Sequence, residues 1–176
     1  MTGESGNPLP ETAENRSSRS ASFRRLEPVW KAVLLLGLTG VVLMVVSEFL
    51  TLRSVSVVTA SCSDLAQPAE RTACVTRGHE EHAYAFVLLG VVAALMTWGA
   101  ALGRSRPAAI ALIAIGAAVL AIAFLKDVPN VHKTGVIGDQ FDSAKAVAGP
   151  GLWLEIAGGT LVFVAGAMAT VARRRR

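Results

Sequence analysis

The sequence predicts an all-α membrane protein: four antiparallel transmembrane helices beneath a small extracytoplasmic cap, closed by a disulfide and holding a short β-ribbon. Three observations carry this. Hydrophobic residues make up 52% of the 176, and mean hydropathy is +0.50, high for a chain that would fold in water. Two long uncharged runs, Ala83–Leu102 and Pro107–Leu125, are separated only by Gly103-Arg104-Ser105-Arg106. About 20 apolar residues at roughly 1.5 Å each cross a hydrocarbon layer of about 30 Å. A connection this short makes the two helices antiparallel neighbours. The third observation is charge placement. Arg16, Arg19, Arg24, Arg25, Lys31, Arg104, Arg106 and Arg173–Arg176 fall on one side of the predicted topology, eleven basic residues against six on the other. The positive-inside rule makes that side cytoplasmic.

The elements follow in chain order. Residues 1–27 are polar, rich in Gly, Pro, Ser, Glu and Arg, and cannot bury enough apolar surface to fold alone; they read as a disordered cytoplasmic tail. The membrane domain is 28–172, with spans at about 29–52, 83–102, 107–125 and 151–172. Trp30 and Lys31 sit where an interfacial anchor and a snorkelling cation belong. The first apolar run is too long for a signal peptide, and Glu48 and Arg53 interrupt the approach to any cleavage site. Thr59-Ala60-Ser61-Cys62 lacks the leucine expected of a lipoprotein processing site.

The first outer segment alternates Val55 and Val57 with Ser54 and Ser56, the pattern of a strand, with Arg71–Thr76 as its expected partner. Cys62 and Cys74 both fall here, and an even pair outside a membrane reads as a disulfide. The second outer loop, Lys126–Pro150, is broken by Asp127, Pro129, Asn130 and glycines, with one helical turn expected at Asp142–Val147. Trp153 lies near the outer end of the fourth span, and the basic tail 173–176 follows its inner end. Both termini are therefore expected in the cytoplasm.

Some function classes can be set aside. The net charge of +4 resides in the tails and the hairpin turn, without a basic face bearing interleaved aromatics, so nucleic acid is not an expected partner. No phosphate-binding glycine loop, nucleophile elbow or paired-cysteine metal motif is present, and no cofactor is expected. Met44, Met96 and Met168 are scattered among spans and read as packing. What remains is a layer of ionisable residues near the outer face: Glu48, Glu155, His79 and His82, with Lys126, Asp127 and His132 close in depth. An acid inside a span is expensive and marks a candidate ligand or proton site. Glu48 and Glu155 could meet there, or could each face headgroups or a cation such as Arg53 or Lys126. His79 and His82 are three apart and share a helix face, making them candidate metal ligands without a complete set.

Ser47-Glu48-Phe49-Leu50, His82-Ala83-Tyr84-Ala85 and Gly149-Pro150-Gly151-Leu152-Trp153-Leu154-Glu155 together resemble small four-span integral membrane proteins of the high-GC Gram-positive (actinobacterial) type, a mostly uncharacterised group. The resemblance covers roughly Val29–Ala172. It implies a plasma-membrane location and carries no activity. The outline is also similar to claudins, but the Gly-Leu-Trp of the claudin loop is absent before Cys62; Gly151-Leu152-Trp153 begins the fourth span instead. The expected function is that of a non-enzymatic plasma-membrane protein acting through lipid, other membrane proteins or further copies of itself. The alternative is a small transporter or sensor subunit using the acidic and histidine cluster.

Overall fold

A computed structural model describes residues 27–57, 74–140 and 142–174. The expected tail up to residue 26, Cys62 and the first half of the expected second strand lie outside the described residues, so the Cys62–Cys74 pairing falls there too.

Helix α1 runs Pro28–Phe49, with the proline in its first turn, where a missing N–H does no harm. Strand β1 (Thr51–Ser56) follows almost at once. Strand β2 (Val75–Arg77) leads into the short helix α2 (Gly78–His82) and then α3 (Ala85–Ala101). Helix α4 covers Arg106–Asn130; it is regular to Ile122, widens into a π-helical turn at Ala123–Asp127 and closes at Val128–Asn130. Helix α5 (Gly135–Gln140) and strand β3 (Lys145–Ala148) precede α6 (Pro150–Arg174).

Three of these helices, α1, α4 and α6, are long and apolar enough to cross a membrane, which points to an integral membrane protein. Lipid offers backbone groups no partners, so a continuous helix is how such segments satisfy them. Helix α3 is apolar but only 17 residues long. The neighbours in space are α1 with α6, α6 with α4, α4 with α3 and α3 with α1. Closest approach comes at small residues. A Cβ on Gly158 would lie 2.8 Å from the Gly40 carbonyl oxygen, and one on Gly40 would lie 2.8 Å from that of Gly158, so α1 and α6 touch backbone to backbone. The surrounding core includes Trp30, Val33, Met44, Phe86, Leu112, Val119 and Val162.

The all-α description is corrected here. The cap is a three-stranded antiparallel sheet of order β2-β1-β3, and among the described residues three helices reach spanning length and hydropathy. The alternation at Val55 and Val57 does bury those valines, against Cys74 and Ile137. The third strand is the unexpected member. Val55 pairs with Ala146 and Ser56 with Lys145, so the stretch expected to make a helical turn is strand. Its position follows from Gly149: the N–H donates to the Leu52 carbonyl at 2.7 Å, and a Cβ there would collide with the Thr51 backbone. Only glycine lets β3 close onto β1 before α6 begins. The second outer loop is also shorter than expected, because α4 continues to Asn130. Trp30 is buried at 1% exposure, with the Arg104 guanidinium 5.6 Å from its ring centroid. It packs the turn end of the helices rather than lying out in the interface.

A buried acid and histidine centre beneath the cap

Four ionisable side chains converge where the helices meet the sheet. Glu48 closes α1, His82 closes α2, Asp127 ends the π-helical turn of α4, and Glu155 lies in the second turn of α6. Glu48 and Glu155 are 0% exposed and Asp127 7%, while the His82 side chain is 4% exposed. Each element directs its residue inward by its own helical period. In α6 the buried face is Gly151, Leu152, Glu155, Gly158, Gly159, Val162, Ala165, Gly166 and Ala169, so Glu155 shares the small-residue stripe that contacts α1 and α4. In α4 the stripe Leu112, Gly116, Val119 continues through Ala123 to Asp127.

Glu48 has a definite structural task. Ala83 and Tyr84 adopt left-handed backbone, φ 49° and 64°, which ends α2 and restarts the chain as α3. Non-glycine residues there cost roughly 1–3 kcal/mol each. The first N–H groups of α3 then need acceptors, and Glu48 Oε1 accepts from the Phe86 N–H at 2.8 Å. The carboxylate also suits the positive end of the helix dipole. Its other oxygen, Oε2, is buried without a hydrogen-bond partner.

The other three acidic and basic atoms face one another. His82 Nε2 lies 3.7 Å from Asp127 Oδ2 and 4.0 Å from Glu155 Oε2. All three ligand-type atoms lie within 4.8 Å of one another. The two gaps to His82 exceed hydrogen-bond length, and no N–H or hydroxyl donor among the described residues reaches His82 Nε2, Asp127 Oδ2 or either Glu155 oxygen; the Asp127 and Glu155 carboxyls are within hydrogen-bonding reach of each other. Glu48 is close enough for its charge to act on Glu155. Two buried carboxylates so close to each other cannot both remain charged cheaply without a cation or a shared proton.

The nearby cations are engaged elsewhere. Lys126 Nζ pairs with Glu81 Oε1 at 3.0 Å and donates to the Glu81 carbonyl at 3.3 Å. The Lys126 contact with its carboxylate oxygen holds the Glu81 carboxyl below its usual range. Arg53 donates to the Asn130 and Lys133 carbonyls, at 3.2 and 3.1 Å, and to Thr76 Oγ1 at 3.2 Å. It thereby ties β1 to β2 and to the carbonyl end of α4, where a cation is favoured. Burial, and secondarily the Lys126 charge, lowers the His82 pKa, keeping the imidazole neutral at pH 7. The His82 ring lies 4.5 Å from that of Phe86, tilted by 34°.

The structure separates the two histidines of the expected pair. His79 Nδ1 lies 3.2 Å from the Glu48 carbonyl oxygen, and its ring stacks on Tyr84 at 5.5 Å, away from the carboxylates that His82 faces. His132 is exposed. Asp127 stands beside Glu155, where the sequence leaves open whether Glu48 and Glu155 meet. Its signal was present in the sequence: counting by three and four from Leu112 reaches Asp127. A cavity of about 30 Å³, lined in part by Arg53, Thr76, Glu81 and Asp127, approaches the centre from the cap side.

No protein-family model matches the chain, and a search of curated proteins finds no match either.

Proposed function

We propose that this is a multi-pass plasma-membrane protein, a sensor or transporter subunit, that works by binding a cation in the buried centre of His82, Asp127 and Glu155. The observation that carries the reading is Glu155: fully buried and set against the Asp127 carboxyl, with His82 Nε2 4.0 Å away and no lysine or arginine paired with it among the described residues. A buried acid is destabilising unless it has a use or a counter-charge. The cap supports a gated approach, since the Glu81–Lys126 pair and Arg53 surround the cavity that leads to Asp127.

In this reading both termini are cytoplasmic and α3 crosses as well, helped by the α2 segment at its outer end. The basic turn at Arg104 and Arg106 and the basic end of α6 support that orientation. Exposed apolar side chains such as Leu35, Leu88, Leu95 and Leu125 suit contact with lipid chains. The protein purified in mild detergent should gain thermal stability from at least one cation in a panel of Na⁺, K⁺, Mg²⁺, Ca²⁺, Mn²⁺ and Zn²⁺. Glu155→Gln should abolish that gain. A flat response across the panel refutes the cation centre.

A further inference from the structure

The geometry of the centre is more specific than an acidic cluster. Its three inward atoms come from three separate elements, α2, α4 and α6, and include one imidazole nitrogen. Nitrogen is a poor ligand for calcium and magnesium, which prefer all-oxygen sets. It suits zinc and its first-row neighbours. A metal bound at about 2.1 Å to each ligand sets ligand separations of roughly 3.0–3.4 Å in octahedral or tetrahedral geometry. The observed 3.7 and 4.0 Å exceed that by less than a single rotamer adjustment. They are too long for the histidine to satisfy either carboxylate by a direct hydrogen bond. Charge gives the same answer. One divalent ion would neutralise Asp127 and Glu155, and among the described residues no lysine or arginine pairs with either.

We propose that His82 Nε2, Asp127 Oδ2 and Glu155 Oε2 ligate one divalent transition-metal ion of the zinc class. This rests on the reading of the centre as a cation site and names its ligand. Glu48 stays outside the ligand set, its Oε1 taken up by the Phe86 N–H. The Phe86 ring packs on the His82 ring and fixes its plane, the role that supporting contacts play around metal ligands. The cavity at Asp127 supplies the entry path and leaves a coordination position open to water. The site also joins α2, α4 and α6, so metal binding would lock the cap-side ends of these helices together.

Co²⁺ is the probe. Full-length protein, purified in detergent and stripped with a chelator, is titrated with Co²⁺ and then with Zn²⁺. One equivalent should saturate, with visible d–d bands of a four- or five-coordinate site that Zn²⁺ bleaches. His82→Gln, Asp127→Asn and Glu155→Gln should each weaken Co²⁺ binding by more than about 100-fold, beyond the effect of losing a supporting group. Asp142→Asn, at an exposed acid outside the centre, should change it by less than about 3-fold. Should a ligand variant fail to fold, the wild-type protein still decides through its stoichiometry, its spectrum and a rise in unfolding midpoint with Zn²⁺. Absence of bands in the wild type, or unchanged affinity in His82→Gln, overturns the assignment. If Ca²⁺, Mg²⁺ or Na⁺ stabilises the protein through Glu155 while Co²⁺ shows no bands, the metal assignment fails and the cation centre stands. If no cation has any effect, both fail.

Discussion

Replacing Glu48 separates a helix cap from a ligand. In Glu48→Ala the Phe86 N–H, buried and 2.8 Å from Oε1, loses its acceptor at the start of α3. A hydrogen bond to a charged group is worth about 1.5–3 kcal/mol, and an anion at a partly buried helix start adds up to about 2 kcal/mol. The lost methylene contributes roughly 0.8 kcal/mol more. Removing the charge relieves repulsion on Glu155, which offsets part of the sum. A net loss of about 2–4 kcal/mol follows for alanine. Glu48→Gln keeps a carbonyl oxygen in the same place and gives up only the charge, so its loss should stay below about 1.5 kcal/mol. Unfolding by sodium dodecyl sulfate in mixed micelles, followed by far-ultraviolet circular dichroism, measures both. Hydrogen exchange at the Phe86 amide should accelerate in the alanine variant and not in the glutamine one. Equal losses in the two variants, with Phe86 exchange unchanged, would refute the capping role.

The α1–α6 crossing should be sensitive at Gly158, and a glycine of α3 away from that crossing should be tolerant. Gly158→Ala puts a methyl 2.8 Å from the Gly40 carbonyl oxygen and from Met44 Cγ and should cost about 1–3 kcal/mol by overpacking. Gly99→Ala, whose methyl would meet only Ala108 Cβ at 3.4 Å, should be near neutral in the same micelle assay. The Glu81–Lys126 pair has side chains 34% and 47% exposed, so a double-mutant cycle with Gln at each position should give a coupling below about 1 kcal/mol, smaller still in high salt. For topology, cysteine substitutions at Ser105 and Ser143, in a protein with Cys62 and Cys74 changed to Ser, should behave oppositely toward an impermeant thiol reagent on intact cells: position 143 labels and position 105 does not. Labelling at 105 would invert or break the proposed orientation.

Much of the fold was legible because lipid simplifies the code. Once water is gone, a run such as Val29–Val46 has no way to satisfy its backbone except as a helix, so hydropathy alone locates α1, α4 and α6. The outward limits were harder. Helix α4 runs on through Lys126 and Asp127 to Asn130, because polar residues at a membrane edge can extend a helix as readily as end it. Strand β3 was missed because Lys145–Ala148 has only four residues and no hydrophobic alternation of its own. It is strand because β1 offers a free edge and Gly149 allows the approach. In the same way Trp30 looked like an interfacial anchor by position, and packing placed it inside under Arg104.

By itself the sequence determined where the long apolar helices lie, that acids lie near one end of them, and which residues share a face along each of them. The period of 3.6 is local, and Glu155 on a stripe of glycines is readable from one helix alone. The sequence did not determine which faces meet. That His82 rather than His79 turns toward Glu155 depends on the left-handed pair Ala83–Tyr84, and that Asp127 rather than Glu48 stands opposite depends on Glu48 being drawn off to cap α3. Contacts between residues 82, 127 and 155 belong to three elements brought together by packing, and no spacing along a single chain encodes a distance between separate helices. Only the tertiary structure could turn a layer of polar residues into a centre of three ligand atoms.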